Sequence, residues 1–193
     1  MNGTWVFGYG SLVSPSSLAA TIGRPIEPND LVVTHLMGYG RRWNYGSMHL
    51  RGDWHHDGVT VRQGLVVSLG LVVADTEVCN GVAARVSDDE LAKLDWRERD
   101  YERTDITDHV IAETEIDEID PFHGDRVVTY VPRQSAVERY EQARDERRAA
   151  IRRTYWNLVI EAFAELGGDH PERYAATPAP DVPVADISLN MIG

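Results

Sequence analysis

The 193-residue sequence holds a single cysteine, Cys79, so it forms no intramolecular disulfide and offers no cysteine cluster for a metal. That scarcity fits a reducing, cytoplasmic setting. No run of about 18 apolar residues occurs, and the start of the chain carries no basic segment followed by an apolar run and a cleavage site. Neither export nor a membrane span is expected. Positive charge is also scarce: 19 Lys and Arg against 31 Asp and Glu give a formal net charge of -12. Nucleic acids and anionic membranes both require a basic face, so neither is expected as a partner. The pairs Arg41-Arg42 and Arg147-Arg148 are local basic spots within an acidic whole.

Several catalytic signatures are missing too. No Gly-Lys-Ser/Thr follows a glycine-rich loop, and no serine stands in a Gly-x-Ser-x-Gly elbow. His49, His55, His56 and Asp57 form no helical His-x-x-x-His pair and read as a polar loop of solvated side chains, so no metal and no cofactor are expected. Cys79 stands in an apolar strand and reads as a small core residue. Arg51-Gly52-Asp53 reads as chance in a chain with no export signal. The acidic run "ETEIDEID" lacks calcium-loop spacing and its glycine, and reads as a solvated edge.

What is present is an ordinary globular mix, 42% hydrophobic and 26% charged, long enough for one domain with a proper core. Short apolar runs bounded by Gly, Asn, Asp or Pro predict about six strands: "TWVFG", "LVVTHLMGY", "GLVVSLGLVVAD", "VCNGVAARV", "TDHVIAETEI" and "RVVTYVPR". A short helix is expected after Ser14, with Pro15 at its first position and Gly23 at its end. A second starts at Ser87, where Ser87 and Glu90 have capping-box spacing. An intermittent stripe from Tyr140 to Phe163 predicts one long helix over residues 136–166, stopped by Gly167-Gly168. Val184, Ile187, Leu189 and Ile192 predict that a tail over residues 169–193 packs back onto the body. Strands and long helices do not alternate, which favours a small mixed or closed sheet over a doubly wound one.

Two stretches are candidates for chemistry. In "VFGYGSLV" a strand runs into Gly8-Tyr9-Gly10-Ser11. A dinucleotide fingerprint would need a third glycine where Val13 stands and a helix at once, and neither is there. What remains is a turn whose amides make a small anion or oxyanion site, or an ordinary strand-end turn. In "ELAKLDWRERDY", Leu91, Leu94 and Glu98 are spaced to share one helical face, which the two leucines mark as buried. Desolvation and the negative end of the helix dipole would both raise the Glu98 pKa, as suits a general acid/base near neutral pH. The competing reading is a solvated ion-pair partner for Arg97, Arg99 or Arg103.

Taken in order, "VFGYGSLV", "GYGRRW", "GVAARVSDDELAKLDWRERDYERTDI" and "VVTYVPR" resemble the γ-glutamylcyclotransferase superfamily, in particular its ChaC-type and bacterial branches, over residues 4–133. The resemblance implies an α+β fold, a small mixed β-barrel flanked by helices. It implies that Gly8, Tyr9, Gly10, Ser11 and Leu12 wrap a γ-glutamyl group, with glycines where a side chain would take the substrate's place. It makes Glu98 the catalytic acid/base. Tyr130 either lines the pocket or contacts the substrate, or is a barrel-core tyrosine. The partner implied is a small γ-glutamyl compound, whose α-amine attacks its own γ-carbonyl to give 5-oxoproline and a free amine. Val13-Ser14-Pro15 departs from the ChaC-type continuation, and the C-terminal helix and tail match no pattern. A noncatalytic member binding such a ligand, or a protein, in the same cavity is the alternative. Arg41, Arg42 and Trp43 could meet a substrate carboxylate or aromatic group, but arginines beside a strand are more often surface residues, so the three are left outside the expected site.

Overall fold

The computed structural model describes residues 3–27, 30–113 and 120–191. Its first strand, β1 (Thr4–Gly8), serves two cores by alternation. Trp5 and Phe7 enter the larger core, while Val6 on the other face joins Leu18, Ile22, Leu91 and Leu94. This is the period-two pattern of a strand covered on both sides. Phe7 is 0% exposed, and burying a side chain of that size contributes roughly 1.5–3 kcal/mol.

Two very long strands, β2 (Leu31–His56) and β3 (Val59–Val86), form one antiparallel hairpin. The turn between them is Asp57-Gly58, with φ of 48° and 78°, the paired positive values of a type I′ hairpin turn. His49, His55 and His56 therefore lie in a strand, not in the polar loop that the sequence suggested. The expected strands "GLVVSLGLVVAD" and "VCNGVAARV" fuse within β3. Register shifts between Met37 and Tyr39, Arg42 and Tyr45, Gly46 and Arg51, and Gly52 and Trp54 bend the hairpin.

Further along come β4 (Tyr101–Asp105), β5 (Val110–Ala112) and β6 (Arg126–Pro132). The main path of the sheet runs β4-β6-β1-β3-β2-β5, with β1 and β6 parallel and the other neighbours antiparallel. The α+β class holds. The sheet is curled, but among the described residues its path does not close, so the expected barrel is corrected to an open sheet. The predicted strand "TDHVIAETEI" reduces to a 3-10 turn at Thr107–His109 followed by β5, with residues 114–116 outside the described residues. Residues 114–119 of the acidic run also lie outside them.

On one face sit α1 (Pro15–Ile22) and α2 (Asp88–Arg97). Ser14 caps α1, and Gly23 ends it at φ 86°; Ser87 and Glu90 form the reciprocal capping box of α2. These helices form where the caps predict them.

The single helix expected over residues 136–166 is instead α3 (Gln134–Asp145), strand β7 (Ala149–Arg152) and α4 (Arg153–Leu166). The break has a packing cause. Ala149, Ala150 and Ile151 are all buried and pair in parallel with Leu65, Val66 and Val67 of β3, after Arg147 turns the chain at φ 55°. Sheet burial overrides the helical propensity of the two alanines. The tail forms α5 (His170–Ala175), β8 (Val184–Ala185) beside β7, and β9 (Ser188–Met191) beside β2. Ile187 is buried and Val184 half-buried, but Leu189 is exposed; Ile192 lies outside the described residues. No helix among the described residues is long and apolar enough to cross a membrane.

Candidate active site

Where β1 ends, Gly8, Tyr9 and Gly10 lead into a 3-10 turn, Ser11–Val13. The Val13 amide donates to the Gly10 carbonyl at 3.0 Å, and the Ser14 amide to that of Ser11 at 3.2 Å. Ser11 and Leu12 open this turn, so no intrahelical carbonyl precedes their amides. The structure gives Gly8 a reason other than the substrate. A Cβ there would stand 2.7 Å from Leu12 Cβ and 2.9 Å from the Leu12 carbonyl carbon, so the fold-back of the turn itself excludes a side chain. At Gly10 a Cβ would meet the Tyr155 hydroxyl at 3.0 Å.

Across from this turn stands Glu98, the C-cap of α2, whose amide donates to the Leu94 carbonyl at 2.8 Å. Leu94 is 0% exposed and Leu91 8%, so the apolar stripe that predicted this face does anchor the helix. The Glu98 side chain is 14% exposed. Burial raises its pKa above the ordinary carboxylate value, and Arg97, 2.9 Å away, opposes the rise. Both readings of the sequence meet here: the carboxylate is buried and it has an arginine partner. Arg97 also donates to the Ser11 hydroxyl at 2.8 Å and to Thr21 Oγ1 at 2.6 Å, which ties α2 to the turn and to α1.

Gly8, Tyr9, Gly10, Ser11, Leu12, Glu98 and Tyr130 all line one small cavity that opens to solvent. Phe7, Leu69, Tyr101 and Tyr155 complete its wall. Sequence reasoning missed these four. Leu69, itself buried, lies at the shift between Arg42 and Tyr45, where Trp43 and Asn44 stand opposite this one residue of β3. Tyrosines take up its free backbone groups: Tyr101 donates to the Leu69 carbonyl at 3.0 Å, and the Leu69 amide meets the Tyr155 hydroxyl at 3.4 Å.

The tyrosine hydroxyls are engaged with protein. Tyr9 donates to the Tyr130 carbonyl at 2.7 Å, and Tyr130 donates to Asp95 at 2.9 Å. Burial raises the pKa of Tyr9, Tyr101, Tyr130 and Tyr155, so at neutral pH they remain neutral. Among the described residues, Glu98 is then the one lining carboxylate, the group able to exchange a proton. Such a wall can fold a small ligand, exchange one proton with it, and offer backbone donors.

Arg41 departs from the sequence reading. It is 4% exposed, with its Nε donating to the Tyr9 carbonyl at 2.8 Å behind the turn. Trp43 is buried as well, and Arg42 is half-buried against Glu77.

A family model described as ChaC-like protein matches residues 4–153. The chain belongs to this ChaC-like family. Among solved structures it is similar to a γ-glutamyl cyclotransferase specific to glutathione from yeast, at 16% identity, covering 93% of this chain and 90% of that one with a TM-score of 0.51. It is similar to a structure titled γ-glutamyl cyclotransferase, at 12% identity with the same coverages and a TM-score of 0.51. An uncharacterized human protein shares 12% identity, with 94% and 91% coverage and a TM-score of 0.52. At these identities the likeness is one of fold. No curated protein sequence matches the chain.

Proposed function

We propose that this protein is a γ-glutamylcyclotransferase that cyclises a γ-glutamyl peptide, amine or adduct to 5-oxoproline and releases the amine. Membership of the ChaC-like family supports cyclotransferase-type chemistry in general. The observation that carries the specific reading is a buried carboxylate, Glu98, sharing one small cavity with the Gly8–Leu12 turn.

Each step has a group in this reading. The cavity folds the substrate so that its α-nitrogen approaches its own γ-carbonyl, and intramolecular attack of this kind gains heavily from positioning. Ionised Glu98 takes a proton from the α-ammonium, and the freed amine forms the lactam C–N bond. The Ser11 and Leu12 amides at the start of the 3-10 turn face the oxygen that becomes negative. Protonated Glu98 then gives its proton to the departing nitrogen as the γ C–N bond breaks, and the second proton, shed by the ring nitrogen, passes through the again ionised Glu98 to the released amine, which leaves as an ammonium. The substrate supplies the nucleophile, so the chemistry needs no serine, cysteine or metal from the protein. The whole chain acts as one domain in this reading, since Thr177, just after α5, reaches Arg41 behind the turn. Its single cysteine is buried and free, which suits a reducing compartment.

The test is mass-spectrometric detection of 5-oxoproline after incubation with glutathione, γ-glutamyl dipeptides and γ-glutamyl amines. Release from at least one class is expected and would identify the leaving group. Binding without release from any of them would favour the noncatalytic reading.

A further inference from the structure

Arg41 is a buried cation with an unusual set of partners. Its Nε donates to the Tyr9 carbonyl at 2.8 Å, its Nη1 to Thr177 Oγ1 at 3.2 Å, and its Nη2 to the backbone carbonyl and, at 3.2 Å, the side-chain oxygen of Asn80. The guanidinium lies 4.6 Å from the ring centre of Phe163 and 5.2 Å from that of Tyr174. Among the described residues no carboxylate makes an ion pair with it. A buried charge is costly unless its donors are all engaged, and the planar fork of arginine can engage a turn, a strand and a helix end together.

Arg41 is not part of the cavity wall, yet Tyr9 and Gly10 are. The described chain has no cis peptide, so the Tyr9 C=O and the Gly10 N–H point in opposite directions. Holding the carbonyl toward Arg41 turns the Gly10 N–H away from it. We propose that Arg41 is a positioning residue that locks the Tyr9–Gly10 peptide so that the Gly10 amide joins the oxyanion donors. The positive charge behind the same peptide favours negative charge in front of it. This gives the C-terminal segment a part in the site, because Phe163, Tyr174 and Thr177 form the seat of the arginine. The inference rests on the cyclotransferase reading.

The experiment pairs steady-state kinetics on the substrate found by the panel with crystal structures of the wild type and Arg41→Lys. Lysine keeps the charge but cannot reach three partners at once. A kcat lower by about 100-fold with KM nearly unchanged is expected, the effect of losing one oxyanion donor. The Tyr9–Gly10 peptide is expected to rotate in the variant. A folded Arg41→Lys enzyme with wild-type kcat overturns the proposal. If Arg41→Lys does not fold, Thr177→Val loosens the seat without altering the turn; it should lower kcat more than it changes KM, and unchanged kcat overturns the proposal. If the wild type releases no 5-oxoproline, the cyclotransferase reading fails by itself. The structures then decide the positioning claim, and an unmoved peptide in Arg41→Lys refutes it.

Discussion

The Arg97 guanidinium lies 2.9 Å from the carboxylate of Glu98, its neighbour in the chain, and reaches the Ser11 hydroxyl at 2.8 Å across the fold. One side chain thus ties the acid/base to the turn and holds down a pKa that burial raises.

That opposition sets the pH dependence of turnover. The reaction needs ionised Glu98 to accept a proton, so kcat/KM should fall as pH drops through the raised pKa. Removing Arg97 removes the opposing charge and raises that pKa further. The acid limb of the kcat/KM profile of Arg97→Gln is expected at higher pH than that of the wild type; an unmoved limb would show that Arg97 does not tune this carboxylate.

Stability carries the opposite sign. Because the folded pKa of Glu98 lies above its ordinary value of 4.5, the folded state holds the proton more tightly than the unfolded chain. Stability present at low pH is therefore lost as pH rises from about 4.5 through the folded pKa. Glu98→Gln should melt higher than the wild type at neutral pH, with the gain shrinking below the unfolded pKa. Calorimetry across this range checks it, and a variant that melts lower at neutral pH contradicts the burial argument.

Tyr130 lines the cavity, but its hydroxyl donates to Asp95, which is paired with Arg103 at 2.6 Å. Tyr130→Phe is expected to lose about 1 kcal/mol of stability, one net hydrogen bond, while kcat changes little. A large loss of kcat would instead show that the hydroxyl meets the substrate.

Gly81 of β3 supports the turn from below. A Cβ there would stand 2.1 Å from the Gly8 carbonyl oxygen and 2.8 Å from Phe7 Cζ, both fixed in the core. Gly81→Ala should cost about 1–3 kcal/mol as overpacking, measured by denaturant unfolding, and should lower turnover by displacing Gly8.

Local signals explain what was legible beforehand. Ser14, Gly23 and the Ser87/Glu90 pair are chemistry of adjacent residues, so both short helices could be read directly. The Leu91-Leu94-Glu98 spacing marked the buried face because a helix keeps its period whatever it packs against. The break at Ala149–Arg152 was hidden, since pairing with Leu65–Val67 comes from a segment more than eighty residues away. Tyr101, Tyr155 and Leu69 were hidden for the same reason: a bulge and three separate elements bring them to the cavity. Arg41 was misread because exposure is the usual state of an arginine, and only the assembled fold supplies its carbonyls and rings.

The most direct test of the central claim compares 5-oxoproline release by the wild type and Glu98→Gln on the same γ-glutamyl substrate, with ligand binding measured alongside. The account predicts release by the wild type, and a variant that still binds but no longer turns over. Turnover undiminished in Glu98→Gln would contradict it, because among the described residues the cavity wall offers no other carboxylate to move the proton.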